Sequence, residues 1–105
     1  MQIQIQAPDE ALPASFHELM ETSVQETLAP HASRLTRVVI HLRDTNANKG
    51  GIDKRCSIEA RPRGLDPVAA THEAERVQEA FRGALEKLDR VLTRRFGKLG
   101  AKHGE

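Results

Sequence analysis

Hydrophobic and polar positions follow two different periods along this chain. Gln2 to Gln6 alternates strictly, with Ile3 and Ile5 on one side and glutamines on the other. That period of two predicts a short strand with one wet face. From Ala14 to Ala29 the spacing changes: Phe16, Leu19, Met20, Val24 and Leu28 recur at three- and four-residue intervals, predicting an amphipathic helix that Pro30 ends. Alternation returns in Arg37 to Arg63. Val38, Ile40 and Leu42 on one arm, and Cys56, Ile58 and Ala60 on the other, predict two strands sharing a core face. Between them Asp44 to Asp53 carries asparagines and a Gly-Gly pair, which suits a chain reversal. Leu65 to Thr71 reads as a fourth, weakly specified strand, because Ala69 and Ala70 have no strong strand preference. A long helix is expected to begin near His72 to Glu75. Its apolar face is Val77, Phe81, Ala84, Leu85, Leu88 and Leu92, extended by Phe96, with Gly97 and Gly100 as stop signals.

The predicted order is β-α-β-β-β-α, an α+β fold in which two helices cover one face of a four-stranded sheet. At 105 residues the chain fits one domain, expected over 1–100, with 101–105 as a frayed tail. The open face of the sheet is expected to carry Gln2, Gln4, Arg37, His41, Arg43, Arg55, Ser57 and Arg61.

Charge changes this picture. The formal net charge is only +1, yet residues 1–30 hold five acids and no Lys or Arg, whereas residues 31–105 hold all sixteen basic side chains against ten acids. Such asymmetry points to an anionic partner for the basic part. The second helix concentrates it. At about 100° per residue, Lys87, Arg90 and Arg94 fall within ~60° of one another, with Arg76 in line about three turns earlier. Six cations between Lys87 and Lys102 face a single acid, Asp89. Favourable contact with the helix dipole, at ~0.3–1 kcal/mol each, explains one or two of them. All three aromatic residues are phenylalanines on the apolar helix faces, so no exposed ring is expected for base stacking. Nucleic-acid binding would therefore proceed through phosphates and shape.

Other chemistries fit poorly. Asp44 to Arg55 resembles a calcium loop at its first, third and fifth positions, but Lys49 stands where the turn glycine belongs and Arg55 where the closing glutamate belongs. One Cys and five dispersed His give no zinc spacing, so no metal or cofactor is expected. A Cys56/His41 nucleophile pair is opposed by the alternation, which puts them on opposite sheet faces. The chain is expected not to be an enzyme and to take no small-molecule substrate. With no membrane-length apolar run, no signal peptide and a lone Cys, it is expected in the cytoplasm, without a membrane partner.

Three stretches, RLTRVVIHLRD, IEARPRGLDPVAA and KLDRVLTRRFGKL, in this order and spacing, resemble the ribosome hibernation-promoting factor family, which includes the ribosome-associated inhibitor also called protein Y. The last, Lys87 to Leu99, resembles the family's basic second-helix ending. The resemblance covers nearly the whole chain. It implies a double-stranded-RNA-binding-domain-like fold and a non-enzymatic factor on the small ribosomal subunit near the decoding centre. There it would block mRNA and tRNA sites in stationary phase or stress. Carried over by position, Lys87, Arg90, Arg94, Arg95 and Lys98 would face ribosomal RNA; Arg37, Lys54, Arg55 and Arg61 form a second candidate set from charge and facing. The sequence departs from the family in its acidic first helix and its Thr45 to Ile52 loop, and it stops after the second helix, as a short form would. The alternatives are a general structured-RNA binder, or a protein-interaction adaptor working through the acidic first helix (Glu18, Glu21, Glu26).

Overall fold

The computed structural model describes residues 1–8, 12–44 and 54–103, with side chains through residue 97. The loop Thr45 to Ile52, with its calcium-like spacing, lies outside the described residues, as do residues 104–105. The elements are β1 (Gln2–Gln6), α1 (Ala14–Thr27), a 3-10 segment (Ala29–Arg34), β2 (Leu35–Asp44), β3 (Lys54–Pro62), β4 (Val68–Ala74) and α2 (Val77–His103). They form the expected β-α-β-β-β-α order. The sheet runs β1-β2-β3-β4, so the β2–β3 hairpin is its centre. β1 lies parallel to β2, a pairing that a tight turn cannot make and that the crossover through α1 supplies. β3 pairs antiparallel with both neighbours.

Alternation in the hairpin sorts the side chains as predicted. Val38, Ile40, Leu42, Cys56, Ile58 and Ala60 are almost wholly buried beneath the helices. From α1, Phe16, Met20 and Val24 enter the same core, and from α2, Phe81, Leu85, Leu88 and Leu92 do so. Phe16 meets Phe81 edge-on, ring centroids 6.4 Å apart. Leu19, expected on the apolar face, is instead 52% exposed. Burial on α1 follows a strict four-residue step through Phe16, Met20 and Val24, which turns Leu19 to the margin of the α1–α2 seam.

Four boundaries differ from expectation, each for a local reason. α1 stops at Thr27, and Pro30 sits in the first turn of the 3-10 segment, where its missing N–H breaks no bond. β4 covers Val68–Ala74 rather than Leu65 to Thr71. The turn after β3 uses Gly64 at φ 70°, and the register then pairs His72 with Cys56 and Ala74 with Lys54. That pairing gives His72–Ala74 to the sheet and delays α2 to Val77. At its far end α2 runs through Gly97 and Gly100 to His103; a glycine penalty of about 1 kcal/mol does not stop a long helix already nucleated and packed.

α2 lies along β4 at unusually close range. A Cβ on Gly83 would stand 2.2 Å from the His72 ring, so only glycine admits that imidazole against the helix. Beside this contact Lys87 Nζ donates to the Thr71 carbonyl at 3.1 Å, tying the helix to the edge strand.

Candidate nucleic-acid interface

Two basic surfaces emerge from this frame. The first is the outer flank of α2, where Lys87, Arg90 and Arg94 are exposed and Arg95 is half-buried. Lys98 continues the helix but its side chain lies outside the described residues. Among the described residues no carboxylate stands in ion-pair range of Arg90, Arg94 or Arg95. The lone acid of this run is turned away from it. Asp89 Oδ1 accepts from His31 Nε2 at 3.0 Å, and Thr93 Oγ1 is 3.3 Å from the same nitrogen. His31 is only 7% exposed, so Asp89 satisfies a buried ring and anchors the 3-10 segment to α2.

That segment adds cations. The Arg34 guanidinium lies over the Phe96 ring, 4.9 Å from its centroid. Arg63 N–H donates to the Arg34 carbonyl at 2.9 Å. Arg34 is thus held against the end of α2, and Arg63 against the 3-10 segment. Neither belonged to the sequence-derived set: the 3-10 segment left no periodic signal, and only the folded chain brings β3's exit turn beside it.

The second surface is the open face of the sheet. The register sets Arg37 opposite Arg61 and Arg43 opposite Arg55, two arginine pairs with Val39, His41, Ser57 and Glu59 between them. The pairs lie six positions apart along β2, roughly 20 Å at strand rise. Here acids are close: Arg61 lies 3.5 Å from Glu59, and Arg55 lies 3.8 Å from Glu73. Arg37 is half-buried, and its Nε has no hydrogen-bond partner among the described residues.

The structure does not bring Lys54 into this group. It shares its facing with Cys56, on the helix-covered side of the sheet, and pairs across the hairpin with Asp44. Arg43, absent from the predicted contact set though expected on the wet face, does belong to the surface. At the Gln6 end of the open face, Gln6, Pro8, His41, Arg43, Arg55, Ser57 and Thr71 line a depression of about 520 Å³.

Stacking recognition has no platform here, since Phe16, Phe81 and Phe96 are 8%, 5% and 7% exposed. Cys56 is fully buried, and desolvation pushes its thiol up to about 12. His41 lies on the other face of the sheet, so the two cannot act as a nucleophile pair. Among the described residues no three His, Cys, Asp or Glu side chains group as metal ligands, and no helix is long and apolar enough to cross a membrane.

The fold recurs in solved structures. A ribosomal subunit interface protein from Coxiella burnetii matches with a TM-score of 0.78 at 18% identity, over 92% of this chain and 99% of that one. The N-terminal domain of Protein Y from Thermus thermophilus matches with a TM-score of 0.71 at 14% identity, over 90% of this chain and 98% of that one. Comparison with curated proteins by sequence yields no match. Those structural likenesses establish architecture; kinship comes from the sequence itself, whose residues 3–100 match the family model described as sigma 54 modulation protein / S30EA ribosomal protein, from β1 through the basic run of α2, so the chain belongs to that family.

Proposed function

We propose that this protein binds the small ribosomal subunit near the decoding centre, through phosphates of ribosomal RNA, and blocks the mRNA and tRNA sites there. The observation that carries the proposal is the α2 flank, where Arg90 and Arg94 are exposed without a carboxylate partner among the described residues. Unpaired surface guanidinium groups on a rigid helix are suited to phosphate oxygens, which they meet bidentately. The burial of all three phenylalanines favours backbone contact over base stacking. Family membership and the two structural neighbours, a ribosomal subunit interface protein and a Protein Y domain, support a ribosomal target. The choice of small subunit and decoding centre rests on the resemblance of Lys87 to Leu99 to the family's basic helix ending. In this reading Lys87 contributes charge while also tying α2 to β4, and the open sheet face is the lesser contact. The protein acts in the cytoplasm, where its target is, during stationary phase or stress.

Co-sedimentation with separated ribosomal subunits tests the proposal. Binding to the small subunit is expected, with log affinity falling against log salt at a slope of about −3 to −4 if four or so phosphates are neutralised. Equal pelleting with both subunits would point to a general structured-RNA binder. Loss of binding on neutralising Glu18, Glu21 and Glu26, with no effect of reversing Arg90 and Arg94, would transfer the function to α1.

A further inference from the structure

The open face holds a feature that binding through α2 does not use. Directly opposed arginines across a strand pair repel, and a sheet ordinarily avoids the arrangement. Arg43 and Arg55 are so opposed, at the mouth of the 520 Å³ depression. Only a loose acid attends them, Glu73, 3.8 Å from Arg55, and Arg43 has no carboxylate in range among the described residues. The neighbouring Asp44–Lys54 pair is turned to the opposite face of the sheet. The rest of the lining is rich in donors. Thr71 Oγ1 donates to Ser57 Oγ at 3.1 Å, which leaves the Ser57 O–H free to point into the depression. His41 sits across from Ser57, and Gln6 is in register with His41.

We propose that this depression is a phosphate pocket that takes a phosphomonoester dianion of mononucleotide size. Two guanidinium groups and a hydroxyl donor match the charge and the several acceptor oxygens of a terminal phosphate better than the single charge of a backbone diester. The volume falls in the range of small-ligand pockets, roughly 300–1,000 Å³. Its only ring is the His41 imidazole and no phenylalanine lines it, so the pocket reads the phosphate ahead of the base. The proposal does not depend on ribosome binding, and it assigns Arg43 and Arg55 to a different ligand from that of Arg90 and Arg94.

The phosphate has two sources, a free nucleotide or the 5′ end of an RNA strand. Titration of the full-length, isotope-labelled chain, followed by amide NMR shifts, tests the pocket and separates them. AMP and CMP are expected to shift Gln6, His41, Arg43, Arg55, Ser57 and Thr71 with similar affinity, and adenosine to leave them unmoved. The Arg43→Gln/Arg55→Gln variant, whose spectrum reports its own folding, is expected to bind AMP at least tenfold more weakly. Arg90→Glu/Arg94→Glu is expected to bind AMP as the wild type does. A 5′-phosphorylated trinucleotide binding tenfold more tightly than AMP, with its 5′-hydroxyl form inactive, identifies an RNA end; equal affinity for the two phosphorylated probes identifies a free nucleotide. Equal shifts with adenosine and AMP, shifts confined to α2, or unchanged AMP affinity in the Arg43/Arg55 variant would overturn the proposal.

Discussion

On the open face of the sheet, two of the four arginines, Arg55 and Arg61, stand beside acids; on the outer flank of α2, Arg90 and Arg94 do not. Glu59 attends Arg61 and Glu73 attends Arg55, whereas Arg90 and Arg94 have no such neighbour among the described residues. The difference arises from secondary structure. On a strand, alternation puts residues two apart on one face, so Glu59 and Arg61 meet. On α2 the only acid of the basic run is rotated to the other flank, where His31 holds it. Counting cations therefore overstates the sheet and understates the helix. Phosphate affinity depends on how much cationic field reaches solvent, and on that measure the helix is expected to contribute more.

The sharpest test reverses charge on each surface in turn. Arg90→Glu/Arg94→Glu is expected to abolish ribosome co-sedimentation at moderate salt and to flatten the salt slope by about two units, one for each lost phosphate contact. Arg37→Glu/Arg61→Glu, an equal change in formal charge, is expected to lower affinity several-fold and leave most of the slope. Equal losses would erase the distinction between the surfaces.

Asp89 carries the next largest effect. Replacing it with Ala leaves the buried His31 Nε2 without its carboxylate, which costs about 1–3 kcal/mol. Urea unfolding should show that loss while the folded variant binds ribosomes undiminished. A variant that kept its stability but bound more tightly would mean that Asp89 damps the stripe electrostatically rather than anchoring the 3-10 segment.

Most of this architecture was legible in the sequence, and the failures are instructive. The hairpin sorts its two faces correctly because apolar and polar residues alternate through Arg37 to Arg43, broken only by Val39, and through Arg55 to Arg61. Lys54 was legible too: it shares parity with Cys56, and attention to its charge alone grouped it with the wrong face. The bounds of β4 are poorly legible because Ala69 and Ala70 carry little strand preference, so the partner strand sets its extent. No local pattern could bring Arg34 to the end of α2 or Arg63 beside the 3-10 segment, because their placement depends on contacts between elements far apart in sequence. Compensation at Arg55 was hidden for the same reason, since Glu73 reaches it only through the β3–β4 register.

The seam between α2 and the sheet edge depends on a packing detail. Gly83 lets α2 close onto His72 at the β4 edge. Gly83→Ala removes a helix-propensity penalty of ~1 kcal/mol but drives a methyl into the imidazole, at a cost of about 1–3 kcal/mol. Thermal or urea unfolding should therefore show a net loss of roughly 1 kcal/mol. In a His72→Ala background the same substitution should change sign and stabilise by up to about 1 kcal/mol. If Gly83→Ala stabilises both backgrounds alike, the close seam is not what keeps glycine there.

The smallest effect bears most directly on the comparison. If nearby acids weaken the sheet face, removing one should strengthen it. Glu59→Gln keeps the shape of the side chain and frees Arg61 from its partner 3.5 Å away. An exposed pair of this kind is worth ~0.2–1 kcal/mol, so ribosome affinity should rise by no more than about fivefold, with a slightly steeper salt slope. The same substitution in the Arg37→Glu/Arg61→Glu background should do less, because the guanidinium it would release is gone. An equal gain in both backgrounds would assign the effect to net charge and deny the local pairing; no gain in the wild type would mean that Arg61 never faces the partner.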